Sequence, residues 1–231
     1  MSLILSTDTS TKACTVSLAV NGEVIAQRAI HEEGFSHAEQ LHVLMQATMS
    51  EAGQDWKDLD AVAIGKGPGS FTGLRIGVSA AKGLCYAMDI PLISLPTMQV
   101  MCAHALQLER LPTNAILRPM LDARRMEVYT AAYSRDLSEV SPCEAKVIEE
   151  DAFMEELGKG PVYFFGDGME KCRQLLEVSA NSHFIKDIIP GAESMARLAQ
   201  KAFDSKKFED VAYFEPFYLK DFIAKPPKKM V

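Results

Sequence analysis

The sequence predicts an α/β protein of two similar lobes, each built as a β-β-β-α-β-α unit. Three observations lead there. Alternating apolar residues flank Asn21-Gly22 in a three-stranded meander; a buried-type strand runs through a glycine-dense turn into a small-residue helix; and the same order returns, more loosely, after Pro112-Thr113-Asn114. A chain of 231 residues can bury two modest cores, so we divide it into lobes at 1–111 and 112–231.

The first lobe opens with an apolar strand at 3–6, a polar turn through Asp8, Thr9, Ser10 and Thr11, and alternation at 14–20. Asn-Gly is the strongest short hairpin signal, and 23–30 supplies the third strand. Ser36 with Glu39 three residues on marks a capping box, which starts a helix reaching to about residue 52 before Gly53. A strand at 59–64, the turn at 65–69, a helix at 72–88, a strand at 91–94 and a helix at 97–107 follow.

In the second lobe the strand at 115–121 ends at Asp122, in the place Asp8 holds in the first. Strands at 126–133 and 144–148, a helix at 151–157, a strand at 162–165, the turn Gly166-Asp167-Gly168 and a helix at 169–177 complete the repeat. One supersecondary unit repeated over ~100 residues gives two facing lobes; a solenoid repeats every ~20–50. An amphipathic helix at 194–203 precedes a basic, proline-bearing tail (Lys225, Pro226, Pro227, Lys228, Lys229) that is expected to be unstructured.

A formal charge of −7 and a pI near 5.3 exclude a broad phosphate-gripping face, whose electrostatic footprint is basic. Five widely spaced cysteines without a C-x-x-C pair read as reduced thiols, hence a cytoplasmic protein. The opening residues lack a basic n-region and their apolar run stops at Asp8, so they do not read as a signal peptide, and no later run approaches the ~20 apolar residues of a membrane span.

Candidate chemistry is sparse. Asp8, Thr9 and Ser10, with Asp122 in the second lobe, are the candidates for a phosphate or cofactor turn, since turn amides and hydroxyls donate to anions and an aspartate holds a cation through water. The same residues in a hairpin turn also bond their own backbone. Gly65, Gly67, Gly69 and Gly73 match neither a Walker A sequence nor a G-x-G-x-x-G fingerprint. His37 and His42 stand five apart, about 140° around a helix, whereas a zinc pair sits at i, i+4. No metal, no cofactor and no catalytic residue is assigned, and Ser70 lies in no G-x-S-x-G elbow.

Helix faces are more informative. Ala38, Leu41, Met45, Thr48, Met49 and Ala52 form an apolar stripe that Val43, Leu44 and Ala47 widen, an arc suited either to cover from two sides, by its own sheet and by a partner, or to complete burial within the monomer. Gly73, Gly77 and Ala81, at i, i+4 and i+8, form a flat seam on which another helix, of this chain or of a partner, can lie close.

Two lobes that each open strand–Asp–turn–strand resemble the actin, Hsp70 and sugar-kinase (ASKHA) superfamily, although the glycine-threonine pair of its active kinases is missing. More specifically, the 5–10 segment, Phe35-Ser36-His37 opening a helix, Gly67-Pro68-Gly69-Ser70-Phe71-Thr72-Gly73-Leu74-Arg75-Ile76-Gly77, the 121–129 segment with Asp122-Ala123-Arg124-Arg125, and Tyr218-Leu219-Lys220 are together similar to the bacterial TsaB (YeaZ) family over nearly the whole chain. That resemblance implies a non-catalytic protein needed to make threonylcarbamoyladenosine in tRNAs reading codons that begin with A. It implies assembly with the TsaD paralogue, which holds the metal and transfers the group, and with the ATPase TsaE; a homodimer when the partner is absent; and tRNA contact only within the complex. Residue by residue, it places Phe35, His37, Leu41, Leu44, Met45, Thr48, Thr72, Arg75, Ile76, Gly77 and Ala80 at the partner interface. The absence of an H-x-x-x-H pair agrees with a scaffold, and the older glycoprotease label has no support in these residues. The alternatives are a small ASKHA-type kinase or ATPase using Asp8 and Asp122, and an RNA-binding module, which the acidic balance disfavours.

Overall fold

A computed structural model describes residues 1–31 and 37–220. Strands β1 (Leu3–Asp8), β2 (Cys14–Val20) and β3 (Glu23–Ile30) form the meander, with Asn21 and Gly22 at φ 50° and 81° as its second turn requires. Helix α1 (His37–Glu51), strand β4 (Ala61–Gly67), helix α2 (Phe71–Met88), strand β5 (Leu92–Pro96) and helix α3 (Thr97–Leu108) complete the first unit. The proposed cap at Ser36, and Phe35, lie outside the described residues.

The second unit runs β6 (Ile116–Asp122), β7 (Glu127–Tyr133), β8 (Glu139–Val147), α4 (Met154–Leu157), β9 (Val162–Phe165), α5 (Met169–Leu176), β10 (Ser182–Ile185) and α6 (Ala192–Asp204). The sheets order as β3-β2-β1-β4-β5 and β10-β9-β6-β7-β8. In each, the third, second, first, fourth and fifth strands of the unit are neighbours, so the duplication is one of topology. The sequence reading missed β10, started β8 five residues late and stopped β4 at Ile64, whereas pairing with β5 carries β4 on to Gly67.

The outer face of the first sheet is covered by its own helices: Leu41, Leu44, Met45 and Met49 of α1 and Ala80 of α2 pack on Leu3, Leu5, Val16 and Leu18. Each such leucine or methionine contributes ~1.5–3 kcal/mol by leaving water. The inner face is covered by a helix from the far end of the chain, with Met195 and Ala199 of α6 on Ile4, Ala61, Ala63 and Ile93. Reciprocally, Met98, Met101, Cys102 and Ala105 of α3 pack on Leu117, Leu121, Ala131 and Tyr133 of the second sheet. Division at 111/112 therefore separates the two sheets, while each unit's last helix lies on the other unit's sheet.

After α6 the chain returns along the first unit. Glu209 pairs with Leu92 at the β5 edge, Val211 and Phe214 pack beside α2, the Phe217 amide donates to the Lys66 carbonyl at 2.8 Å, and Lys220 forms an ion pair with Glu127 of the second sheet. No helix of the described residues is long and apolar enough to cross a membrane.

Candidate functional site

The candidate phosphate turn is fully built, and the chain's own backbone fills it. Asp8, Thr9 and Ser10 are buried at the end of β1. Asp8 Oδ1 accepts from the Ser10 amide at 2.9 Å and from its hydroxyl at 2.6 Å. The Thr9 hydroxyl donates to the Gly73 carbonyl, and the Ser70 amide donates to the Ser10 carbonyl, both at 2.7 Å. The hydroxyls an anion would need are thus spent inside the protein.

Glycine makes this approach possible. A Cβ on Gly65 would lie 1.8 Å from Asp8 Oδ2, one on Gly69 2.2 Å from the Ser10 carbonyl oxygen, and one on Gly77 2.3 Å from Thr9 Oγ1. No side chain larger than hydrogen fits between these segments. The seam of Gly73, Gly77 and Ala81 accordingly faces inward, against Thr9 and Ile64 and the β4 core, with the His37 ring at the start of α1 3.3 Å from a Cβ on Gly73; the close neighbour its spacing announced is mainly the chain's own first turn and strand. A small-residue stripe reveals close packing but not the side from which it comes.

Asp8 retains one unsatisfied oxygen, Oδ2, and the Ser6, Thr15 and Ser17 hydroxyls on the same sheet face likewise lack partners among the described residues. Burial pushes the Asp8 carboxyl up to about 6, against the Ser10 hydrogen bonds and the His37 charge that pull it down. His37 reaches back from α1, its Nε2 2.8 Å from the Thr11 carbonyl oxygen.

Asp122, the counterpart in the second unit, is exposed and paired. Its Oδ1 takes the Lys171 ammonium and the Arg124 amide, the latter at 2.9 Å, while its own amide donates to Asp167 Oδ1 at 2.9 Å. Partial burial raises its carboxyl, but Lys171, the Arg124 amide and Lys12 outweigh that and hold it below the usual range. Burial raises Asp167 next to it. Lys12, from the first unit's turn, acts on both carboxylates, so the two turns face one another across a self-neutralised cluster. Sequence gave no local sign of Lys171, which lies 49 residues from Asp122. Among the described residues no three of His, Cys, Asp and Glu come together as metal ligands do.

Of the expected interface residues, Leu41, Leu44, Met45, Thr48, Gly77 and Ala80 are buried by the chain itself, His37 and Ile76 are partly covered, and Thr72 and Arg75 are exposed. The outward surface of this helix pair also carries Val43, 59% exposed, and Tyr86, 86% exposed. Beside Tyr86, Gly83 stands mid-helix with nothing within 4 Å of where its Cβ would be. The sequence reading passed over it, although six residues from Gly77 already put it about 120° around the helix from that inward glycine.

The family model described as TsaD, tRNA N6-adenosine threonylcarbamoyltransferase, matches residues 24–228. The tRNA threonylcarbamoyladenosine biosynthesis protein TsaB of Escherichia coli (strain K12) is 31% identical over 230 residues, covering 96% of each chain. YeaZ from Pseudomonas aeruginosa superposes with a TM-score of 0.78 at 25% identity, over 95% of this chain and all of the other. The ethanolamine utilization protein EutJ from Carboxydothermus hydrogenoformans, with a TM-score of 0.50 at 13% identity over 85% of this chain and 90% of the other, shares the actin-like fold alone.

Proposed function

The chain belongs to the TsaB (YeaZ) family, and from that membership we propose that it serves tRNA threonylcarbamoyladenosine biosynthesis as a non-catalytic assembly subunit in the cytoplasm. One observation carries the non-catalytic reading: the turn that would cradle phosphate is closed by the backbone at Gly69, Gly73 and Gly77, and its second-unit counterpart is neutralised by Lys171. Chemistry then belongs to a TsaD-type transferase, with a TsaE-type ATPase completing the assembly, and tRNA is met only there. Without that partner, the same face pairs two copies of this chain.

The α1–α2 surface is the contact we assign. Its buried residues, Leu41, Leu44, Met45 and Thr48, hold the helices in place, and its accessible ones, Val43, Thr72, Arg75, Ile76, Gly83 and Tyr86, meet the partner. Gly83 supports this. A mid-helix glycine costs ~1 kcal/mol relative to alanine, and here no contact among the described residues requires it, whereas a helix of another protein can approach closely over it.

Reconstitution tests the proposal. The chain alone should neither hydrolyse ATP nor modify tRNA, and should restore threonylcarbamoyladenosine formation when added to a TsaD-type transferase with its ATPase. ATP hydrolysis by the purified chain, lost in Asp122→Ala, would instead establish the kinase-like reading.

A further inference from the structure

Between the outer face of α2 and the extended segment after α6 runs a groove of about 380 Å³. One wall is Arg75, Ser79 and Lys82, which at i, i+4 and i+7 line up on one face of the helix. The other is Phe214, Pro216 and Tyr218, alternate residues of the extended segment. One side thus offers guanidinium, hydroxyl and ammonium donors; the other offers two aromatic rings and a proline.

Among the described residues neither cation forms an ion pair with a carboxylate. Arg75 forms no ion pair among the described residues, and its guanidinium stands 5.5 Å from the centroid of the Phe71 ring, which in turn lies 4.9 Å from Tyr218. The Lys82 ammonium donates to the carbonyl oxygens of Ala212 at 3.1 Å and Phe214 at 2.9 Å, both neutral groups. Glu215 is exposed and does not line the groove. The Glu215 charge is felt at Tyr218, yet two cations that form no ion pair among the described residues, set over an apolar wall, are unexpected in a chain with a net charge of −7.

We propose that this groove binds a short acidic peptide segment of a partner protein, its carboxylates on Arg75 and Lys82 and an apolar or aromatic side chain against Phe214, Pro216 and Tyr218. Arginine beside aromatic rings is the composition of protein-recognition surfaces, and Tyr213, 84% exposed, extends it. A polynucleotide fits less well, since it brings a charge roughly every 1.7 Å along a duplex to a surface with two cations on an acidic protein. The groove shares Arg75 with the α1–α2 contact assigned above, whereas Val43 and Tyr86 of that contact do not line it.

The test uses a fluorescein-labelled peptide Glu-Asp-Leu-Phe-Asp, its counterpart Lys-Lys-Leu-Phe-Lys, and a five-nucleotide uridine RNA, each titrated into the full chain and followed by anisotropy and by amide shifts. The acidic peptide should bind, shift Ser79, Lys82 and Tyr218, and lose affinity about tenfold or more in Arg75→Glu, an exposed position. Val43→Glu, on α1, should leave that binding unchanged, so that failure here and failure of the partner contact are told apart. Equal affinity for the basic peptide, tighter binding of the RNA, or indifference to Arg75→Glu would each overturn the proposal.

Discussion

A Cβ built on Gly73 would come within 2.0 Å of the Thr9 carbonyl oxygen, so the helix that follows the glycine-dense turn touches the first turn of the fold backbone to backbone. Gly73→Ala forces two main chains apart and should cost ~3 kcal/mol or more. Gly83→Ala, where a Cβ meets nothing, should add ~0.5–1 kcal/mol. Urea denaturation of both variants checks the contrast; equal effects would refute the inward seam.

The raised carboxyl of Asp8 has a defined pH signature. Its ordinary value is 3.8 and its value in the fold about 6, so the protonated form is the one the fold prefers. The group's contribution is fully present below 3.8 and is lost as pH rises through about 6. Asp8→Asn keeps the oxygen that Ser10 donates to and removes the charge. It should raise the melting temperature at pH 7, by stability on the order of 2–3 kcal/mol, with the gain vanishing near pH 4. A gain that is flat with pH would show that burial of charge is not its origin.

Asp122 titrates in the opposite sense. Held low by Lys171 against the effect of burial, its contribution is present above 3.8 and is lost as pH falls through its depressed value. Both side chains are partly exposed, so Lys171→Met should lower stability by no more than ~1 kcal/mol at neutral pH, and by less in high salt. Thermal unfolding across pH 2–7 (on the order of the carboxylate range) should show the difference shrinking toward acid.

Partner contact separates from core packing within one helix. Val43→Glu changes an exposed side chain and should leave the melting temperature within ~1 °C, a surface-substitution effect, while abolishing co-elution with a TsaD-type transferase. Leu44→Glu, one residue on, places a charge in the core among Leu41 and Met45 and should leave no folded protein to elute. Co-elution of Val43→Glu would remove α1 from the proposed contact.

Local chemistry made much of the fold legible. Asn21-Gly22 set the meander, and the glycine-dense turn put the start of α2 within a residue of its place, while the Ser70 cap, whose hydroxyl accepts from the Gly73 amide, went unread. What stayed hidden depends on neighbours distant in sequence. β10 is four half-covered residues, Ser182 to Ile185, with no alternation to betray it. The stripe from Gly73 to Ala81 announced close packing, but only the position of Thr9, over sixty residues away, shows its direction. The candidate site was legible as residue types and misleading as chemistry: Asp8, Thr9 and Ser10 are where a phosphate turn would be, and only the structure shows the glycine backbone that fills it.

The exchange of closing helices between the two units has a consequence for synthesis. A ribosome releases the first sheet complete through Pro96, yet the helix that covers its inner face begins at Ala192. At 5–20 residues per second, about the usual pace of translation, Ile4, Ala61 and Ile93 wait several seconds for Met195 and Ala199. The half of the molecule that is made first is therefore the half that is finished last, and a nascent chain stalled anywhere short of α6 presents a bare apolar sheet to whatever chaperone attends the tunnel exit.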